Sequence, residues 1–472
     1  MNERDIAYLS ALELRERYRS GDLSPVEVTG VILERIGRLN PSLNAYVTVT
    51  VERALEDARM AERAYRERTA GPLAGVPISI KDITPTRGIR TTMGSRLMEH
   101  WIPDEDAPFV EKVSAAGAVL LGKTNTPELG WKGDSGNRVI GSTHNPWKHG
   151  RTAGGSSGGA SSALAAGLGP LASGTDGAGS IRIPAAFCGV FGLKPSFGLV
   201  PYYPPSSVEA LAHIGPMSRT VRDSALLLDV VSGDDPRDRA TWPNRDGFLL
   251  NCEGGVQGMR IAWSPDLGYA AIDPEVRAIA EAAAQRMADL GAHVEEVNIS
   301  FPDPWETVNT LWSSAQAGRH VHDFEAVRDE IDPGRIPLIE HGRTLTAVDL
   351  YLAYTQRTAV YNAWRTWFEQ GQWDLLLTPT LPVTAFPAGD DAPAQINGVP
   401  VSYLSWTAFT YPFNLTGNPA ATVPAGFASD GLPVGLQMVG RWRDDANVLR
   451  AAAAYEDAFP WAQHTPPGLD DE

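Results

Sequence analysis

The chain has 472 residues, of which 43% are hydrophobic, and its 57 acidic and 40 basic residues give a formal net charge of −17. This length and apolar content are sufficient for a sizeable core in one large α/β unit. The acidic balance argues against a surface that wraps nucleic acid or binds an anionic membrane.

Cysteine usage and the N-terminal sequence favour an intracellular protein. Only Cys188 and Cys252 are present, which excludes a disulfide framework. The first 22 residues carry charges where a signal peptide requires an apolar run. No stretch reaches the roughly 18 apolar residues that a transmembrane helix needs. We therefore expect a cytoplasmic enzyme.

The first predicted elements are helices. Apolar residues recur at helical spacing between residues 8 and 68, and Ser24 followed by Pro25 is typical of a helix start. A second helix is predicted over residues 51–66, where the good helix formers Ala, Glu and Arg are frequent. Residues 1–70 are therefore predicted to form a helical preface that packs on the core.

From Gly75 onward, short apolar runs alternate with helical patterns. The predicted strands are residues 76–80, 118–121, 260–263, 293–297 and 375–377, and the predicted helices are 109–116, 274–290 and 347–369. Strands separated by helices predict an α/β sheet with crossover connections. Two segments rich in Pro and Asp, 234–251 and 387–397, are predicted to be surface excursions.

The most unusual stretch is residues 154–198, where crowded Gly and Ser residues leave few side chains to bury. It contains two glycine-rich runs, 154–159 and 175–184. Glycine permits backbone conformations closed to other residues and lets other groups approach closely. Each run is predicted to be a tight loop that presents hydroxyl and amide groups to a small ligand, with a helix over 160–171 between them.

Three motif matches suggest other chemistries, but the sequence around each of them argues against it. Residues 117–124 satisfy the phosphate-binding pattern GxxxxGK[ST], but the Ala-Val-Leu-Leu between the glycines is typical of a strand. Residues 155–159 satisfy the pattern GxSxG with Ser157 at its centre, but no hydrophobic strand precedes them. His320 and His322 have the composition of a metal site, yet no third ligand follows at a usual spacing.

Lys81 ends an apolar run, so a strand would carry its amine into or beside the core. It could pair with Asp82, or it could be desolvated, which would lower its pKa from the reference value of about 10.4. A neutral amine can act as a base, and a serine nucleophile needs a base that need not be histidine. If Lys81 reached Ser156 and Ser156 reached Ser180, a proton could pass along this relay while Ser180 attacked a carbonyl.

The backbone that leads to the candidate nucleophile supplies a candidate oxyanion hole. Its N–H groups could face the negative charge that develops on the carbonyl oxygen. The residues concerned are Gly177, Ala178, Gly179 and Ser180.

These residues resemble the amidase signature family of serine hydrolases. That family combines a lysine at the end of a GVP-type strand, a GGSSGG loop and a second loop that ends in GSxRxPA, and all three are present here. The similarity is strong over residues 73–233 and 373–440 and loose over 235–371.

The resemblance implies a role for each of the three side chains. Lys81 would be the base, and Ser156 would be the bridging serine, held by a cis peptide bond after Gly155. Ser180 would be the nucleophile that forms the acyl-enzyme. The second loop commonly reads TDTGGS in the family, whereas Ala178 replaces a glycine here. Its Cβ would be strained at a positive φ, and we expect it to narrow the specificity.

The resemblance also implies the fold, which is a single α/β domain. Its mixed, largely parallel, twisted central sheet would be flanked by helices on both faces. Residues 71–235 would form the signature core, 236–371 a variable substrate-side region and 372–462 the C-terminal part of the same domain. Residues 463–472 are predicted to be a polar tail.

The implied reaction is hydrolysis of a carboxamide, with esters or carbamates (urethanes) as adjacent substrates and with no cofactor or metal. Trp131, Trp305, Trp312, Trp364 and Trp367 indicate an aryl or apolar substrate, or else they belong to the core. The residues expected to contact substrate are Gly130, Trp131 and Ser157.

The family also offers an alternative function, the glutaminase subunit of an aminoacyl-tRNA amidotransferase. That subunit would act on glutamine and require partner chains. For the amidase, the expected partners are a small-molecule amide and water, with no nucleic acid and no membrane. The sequence leaves a homodimer open.

Overall fold

A computed structural model describes residues 1–244 and 247–469. Its central element is an 11-stranded sheet. The strands are β1 (Tyr46–Val49), β2 (Pro77–Lys81), β3 (Val119–Thr124), β4 (Leu171–Asp176), β5 (Phe191–Lys194), β6 (His213–Ser218), β7 (Arg260–Trp263), β8 (His293–Glu296), β9 (Leu375–Pro379), β10 (Ala420–Phe427) and β11 (Pro433–Gly440).

The sheet is mixed, in the order β1-β3-β2-β4-β6-β5-β10-β11-β9-β7-β8. Parallel pairings form two blocks: β2 lies between β3 and β4, and β7 lies between β8 and β9. The six other pairings of this sheet, as described, are antiparallel. The expected mixed α/β sheet flanked by helices is confirmed.

Sixteen α-helices lie in the described part of the chain. They are α1 (Glu3–Ala7), α2 (Ala11–Ser20), α3 (Pro25–Leu43), α4 (Val51–Glu67), α5 (Pro108–Ala115), α6 (Gly158–Ala165), α7 (Arg182–Cys188), α8 (Val221–Val231), α9 (Phe248–Asn251), α10 (Pro274–Asp289), α11 (Trp305–Arg319), α12 (Phe324–Val327), α13 (Ile336–Thr344), α14 (Ala347–Gly371), α15 (Pro412–Thr416) and α16 (Asp445–Ala458). None of the helices within residues 1–244 and 247–469 has the length and apolar character to cross a bilayer.

Local sequence signals explain where the long helices begin. The Ser24 hydroxyl accepts the Glu27 N–H and Pro25 opens α3, as its sequence predicts. Asp273 caps α10 in the same way, and Thr346 forms a capping box with Asp349 at the start of α14.

The helix predicted over residues 160–171 is wrong beyond Ala165. The backbone adopts positive φ values at Gly167 (69°) and Gly169 (129°), which end the helical path. Leu171 then begins β4, a fully buried strand that the small residues concealed in the sequence. The GxxxxGK[ST] match is not a phosphate-binding loop, because most of it lies in strand β3.

The N-terminal region contributes a strand as well as helices to the fold. β1 pairs antiparallel with β3, so residues 1–70 are continuous with the sheet. At the other end of the chain, Leu469 packs on the N-terminal helices, and its carbonyl accepts a hydrogen bond from Arg38. The predicted tail at 463–472 lies partly outside the described residues, as does the predicted excursion at 234–251.

Candidate active site

The sheet brings the lysine and the second glycine-rich loop to one edge. β2 and β4 are parallel neighbours, with Ile78 opposite Leu171. Their carboxyl ends therefore lie side by side, with Lys81 as the last residue of β2 and Thr175 close to the end of β4. Ligand sites of open α/β sheets typically form at such ends of strands.

The Lys81 amine is fully buried and is surrounded by hydroxyl groups. Its Nζ atom lies 2.7 Å from Ser156 Oγ, 2.8 Å from Ser157 Oγ and 2.8 Å from Thr175 Oγ1. No carboxylate of the described residues forms an ion pair with it. Burial lowers the pKa of Lys81 well below its usual value, and the charge of Asp176 only partly opposes this effect.

Ser156 lies in the first glycine-rich loop, with its hydroxyl against the lysine. The peptide bond between Gly155 and Ser156 is cis, as the resemblance implies. Gly130 approaches the Ser156 hydroxyl so closely that an added Cβ would lie 3.1 Å from Oγ. The predicted contact residue Gly130 therefore borders the candidate relay.

Ser157 is placed beside the lysine rather than on an open surface. Its side chain is fully buried. Its oxygen also accepts the Thr175 N–H at 3.3 Å, and its hydroxyl donates to the Thr175 carbonyl at 3.3 Å. These contacts leave the Ser157 hydroxyl without a free face for a substrate, contrary to the prediction.

The loop that carries Ser180 is shaped by Asp176. The Asp176 carboxylate accepts the Gly179 N–H at 2.7 Å and the Ile181 N–H at 3.1 Å. The positive φ of this loop (127°) falls on Gly179 and not on Ala178. The strain expected for Ala178 is therefore absent, and its methyl group is buried in the cluster that contains Trp131 and Trp312.

The hydrogen bond between Gly179 and Asp176 removes one N–H group from the candidate oxyanion hole. Because the Gly179 N–H donates to Asp176, it is not available to an oxyanion in this conformation, contrary to the prediction. Within the described residues, no protein acceptor is bound by the N–H groups of Gly177, Ala178 or Ser180. The Ser180 carbonyl accepts the Ser157 N–H at 3.2 Å, which joins the two loops, whereas the hydroxyls of Ser156 and Ser180 do not hydrogen-bond to each other here.

A buried ion pair between Arg182 and Asp176 holds the same loop. Arg182 and Asp176 side chains are both fully buried and 2.9 Å apart. Arg182 also donates to the Thr410 carbonyl, and the side-chain oxygens of Gln437 and Asn414 accept from it. Burial alone would raise the pKa of Asp176, but the Arg182 guanidinium holds it well below its usual value. The sequence contained Asp176 and Arg182 in its motifs, but it gave no signal for their partners.

Comparisons with known proteins establish the family of this chain. A family model described as Amidase matches residues 27–449. The chain belongs to the amidase signature family. It is 42% identical over 477 residues to an acylamidase from Rhodococcus erythropolis, a match that covers 99% of this chain and 98% of the relative. It is 35% identical to one subunit of the glutamyl-tRNA(Gln) amidotransferase from Roseiflexus sp. (strain RS-1), over 97% of this chain and 98% of that one.

A solved structure extends the agreement to three dimensions. The crystal structure of a bacterial aryl acylamidase of the amidase signature family matches with a TM-score of 0.89 and 33% identity, covering 97% of each chain. Together these similarities identify an amidase signature hydrolase, which acts on carbon–nitrogen bonds other than peptide bonds.

An aromatic cluster adjoins the candidate oxyanion loop of this amidase. Trp312 packs over Gly177, where an added Cβ would lie 3.0 Å from the indole ring. Trp131 and Tyr403 have ring centroids 5.6 Å apart and belong to the same cluster as Ala178. By contrast, Trp364 and Trp367 pack in the main core, so they give no support for an aryl substrate.

The turn of this amidase that contains Gly130 is fixed by a buried carboxylate. Glu128 accepts hydrogen bonds from the Ser95 hydroxyl at 2.8 Å and the Asp332 N–H at 2.6 Å, and Arg335 lies 3.1 Å from it. The segment before α13 is thus tied to the loops that follow β2 and β3. Gly130 is therefore held rigidly against Ser156.

Substitution of Gly130 by alanine is expected to lower kcat/KM for amides about tenfold to a hundredfold, since small displacements of reacting groups have effects of this size. The added methyl group would press on the Ser156 hydroxyl, and the backbone has a positive φ of 75° there. Steady-state kinetics and thermal unfolding would be measured together.

Gly431→Ala is the matched control, because Gly431 has a φ of 83° and open space around its Cβ position. It introduces the backbone strain without the contact to Ser156. Equal losses of activity in both alanine variants would contradict a role for Gly130 beside the relay.

Proposed function

We propose that the protein is an amidase that hydrolyses aryl or apolar carboxamides through an acyl-enzyme on Ser180. The observation that carries this proposal is the hydrogen bond of 2.7 Å between the buried Lys81 amine and the Ser156 hydroxyl. A charged amine buried without a counterion is costly, so the surroundings favour the neutral, basic form.

The hydrogen bonds around Lys81 also suit a neutral amine. An NH2 group has two protons to donate and one lone pair to accept with. The Ser157 oxygen and the Thr175 oxygen can take the two N–H groups. The lone pair is then left for the Ser156 hydroxyl, which makes no hydrogen bond as a donor to any other acceptor in the described part of the chain. Thr175 and Ser157 would act as positioning residues for the base.

The proposed reaction begins when Ser180 Oγ bonds to the substrate carbonyl carbon. The Ser180 proton moves to Ser156 Oγ, and the Ser156 proton moves to Lys81 Nζ. Negative charge gathers on the carbonyl oxygen, towards which the free N–H groups of Gly177, Ala178 and Ser180 can donate. When the C–N bond breaks, the relay returns the proton to the leaving nitrogen. Water then attacks the acyl ester by the same proton path and releases the acid.

The preference for aryl or apolar amides is supported by the cluster around the oxyanion loop. Trp131, Trp312 and Ala178 are buried members of this apolar cluster, which adjoins the loop that leads to Ser180. The 42% identical relative is an acylamidase, and a structural neighbour is an aryl acylamidase. Esters and carbamates present the same carbonyl to Ser180, so we include them as secondary substrates.

The alternative, a glutaminase subunit of an amidotransferase, is supported by the relative of that description at 35% identity. It predicts activity on glutamine and dependence on partner chains. A single panel of substrates separates the two functions.

The test is turnover of aryl amides, linear aliphatic amides, aryl carbamates and glutamine by the wild type and by Ser180→Ala. We expect hydrolysis of aryl amides by the isolated chain and its loss in Ser180→Ala. Reaction with glutamine alone would favour the glutaminase function. Undiminished amide turnover by Ser180→Ala would refute the proposed mechanism.

A further inference from the structure

A cavity of about 130 Å³ lies close to the candidate catalytic groups. Ile83 and Leu129 line it, and these residues are two positions after Lys81 and one position before Gly130. On another side, it is lined by Ile214, which pairs with Thr175 across β6 and β4. A Cβ added at Gly130 would lie 3.4 Å from Ile83 Cδ1 and 3.1 Å from Ser156 Oγ, so the Ile83 wall of the cavity borders the candidate bridging serine.

Backbone hydrogen bonds hold one wall of this cavity. The Leu129 N–H donates to the Met93 carbonyl at 2.7 Å, and the Met93 N–H donates to the Asp82 carbonyl at 2.9 Å. Tyr202 lines the cavity as well; burial raises its pKa to about 12, opposed by the nearby hydroxyls of Ser206 and Thr175. A mainly apolar cavity of this size with a few polar groups suits a small part of a substrate rather than a whole drug-sized ligand.

Among the described residues that line the cavity, Arg319 alone carries a formal charge. It is the last residue of α11, and its guanidinium has the Met93 sulfur as a neighbour at 4.0 Å. Arg319 is exposed to solvent, and no carboxylate of the described residues lies within ion-pair distance of it. The nearby acids are engaged elsewhere, Glu128 with Arg335 and Asp323 with His320.

We propose that this cavity binds the part of the amide substrate remote from the scissile bond, and that Arg319 binds a carboxylate on that part. A guanidinium forms two parallel hydrogen bonds with a carboxylate, and the apolar walls accommodate the segment between the carboxylate and the amide. The inference rests on the proposed amidase function and narrows its substrates to amides that carry a carboxylate.

The test uses two pairs of substrates, in each of which the remote carboxylate is either free or masked as its methyl ester, and only amide cleavage is followed. On the acyl side, the glutaric acid mono-4-nitroanilide is compared with its methyl ester. On the amine side, 4-acetamidobenzoate is compared with its methyl ester. In at least one pair, the wild type is expected to prefer the acid in kcat/KM for amide cleavage by about tenfold, the effect of one charge-assisted interaction. The pair that shows the preference identifies the side of the substrate that enters the cavity.

Arg319→Leu is expected to reduce the preference to about one, and Arg319→Lys to retain part of it, because a lysine supplies charge without the planar fork. The matched control is Arg343→Leu. Arg343 is an exposed arginine that pairs with Glu325, so its loss changes the net charge equally and should leave the preference intact. Raised salt should weaken the preference in the wild type.

The outcomes separate this inference from the proposed function. If neutral aryl amides are hydrolysed but neither acid is preferred, or if Arg319→Leu keeps the preference, the carboxylate subsite is refuted while the amidase function stands. If no amide is hydrolysed, the proposed function fails and the subsite fails with it.

Discussion

Replacement of Lys81 by alanine is expected to reduce kcat/KM for an aryl amide by about 10²–10⁴-fold, the range typical of general acid–base catalysis. The loss for the matching aryl ester should be clearly smaller. An amine is a poor leaving group that needs the proton returned through Ser156, whereas a phenolate departs without it. The ratio of the two losses is the measurement, because a merely structural defect would lower both rates alike.

Lys123→Ala provides the control for this variant. Lys123 lies on the neighbouring strand β3, is as deeply buried as Lys81, and its amine donates to the Thr84 carbonyl and the hydroxyls of Thr86 and Thr91. Burial lowers its pKa to about 8. Its removal also deletes a buried amine but leaves the serines untouched, so amide and ester hydrolysis should change in equal proportion. Equal proportions in Lys81→Ala would contradict its role as the base.

The pH profile gives a second view of the same lysine. The base must be neutral, so log kcat/KM should rise with pH and level off above the pKa of Lys81 in the folded protein. Because burial lowers that pKa well below the usual value of 10.5, the plateau should begin well below pH 10.5. A rate that still climbs through pH 10.5 would indicate an unperturbed lysine.

Replacement of Arg182 by leucine is expected to destabilise the fold by about 3–5 kcal/mol, since removing one partner of a buried ion pair leaves the other charge uncompensated. Asp176 would lose its counterion, and the loop that it shapes through Gly179 and Ile181 would loosen. Activity on amides should fall together with stability. Denaturant unfolding at several pH values is the measurement.

The pH dependence of this loss has a definite sign. In the wild type, Asp176 has a lower pKa in the folded protein than its value near 3.8 in the unfolded chain. Its ionised form therefore stabilises the fold fully above pH 3.8, and this stabilisation is lost only as the pH falls through the pKa of the folded protein. In the variant, burial without Arg182 raises the pKa of Asp176, which costs stability as the pH rises. The difference in free energy of unfolding between the wild type and Arg182→Leu should therefore be largest near neutral pH and shrink towards pH 3.

Arg222→Leu is the control, because Arg222 pairs with Asp457 and Glu253 at the protein surface. Surface pairs contribute about 0–1 kcal/mol, so its effect should be small and nearly independent of the Asp176 titration. An Arg182→Leu protein as stable as Arg222→Leu would contradict the account of the buried pair.

Much of the candidate site could be predicted from the sequence because its chemistry is local in the chain. Lys81 is the last residue of an apolar run, and Ser156 and Ser180 stand out because they lie in the two glycine-rich loops. The parallel pairing of β2 and β4, which the strand–helix alternation only suggests, brings Lys81 beside Thr175. Ser156 lies in the loop before α6 and meets the Lys81 amine at 2.7 Å. The roles of these residues remain predictions until the variants are measured.

The rest of the site depends on contacts between distant parts of the chain. Asn414, Gln437 and Thr410 meet Arg182 across more than 220 residues, so no local pattern could reveal them. β4 was hidden for a different reason: its small residues Ala, Ser and Gly lack the β-branched side chains that mark a strand. The hydrogen bond from the Gly179 N–H to Asp176 could not be predicted, because it forms only in the folded conformation of the loop.

The central claim, that Ser180 carries the acyl group, is tested most directly by intact-mass spectrometry. The protein would be mixed with an aryl carbamate, whose acyl-enzyme hydrolyses slowly, and then acid-quenched. Cleavage before Asp176 would place Ser180 on a different peptide from Ser156 and Ser157. We predict a mass increase equal to the carbamoyl group, located on the peptide that contains Ser180 and absent from Ser180→Ala. An adduct on Ser156 or Ser157, or an adduct that persists in Ser180→Ala, would contradict it.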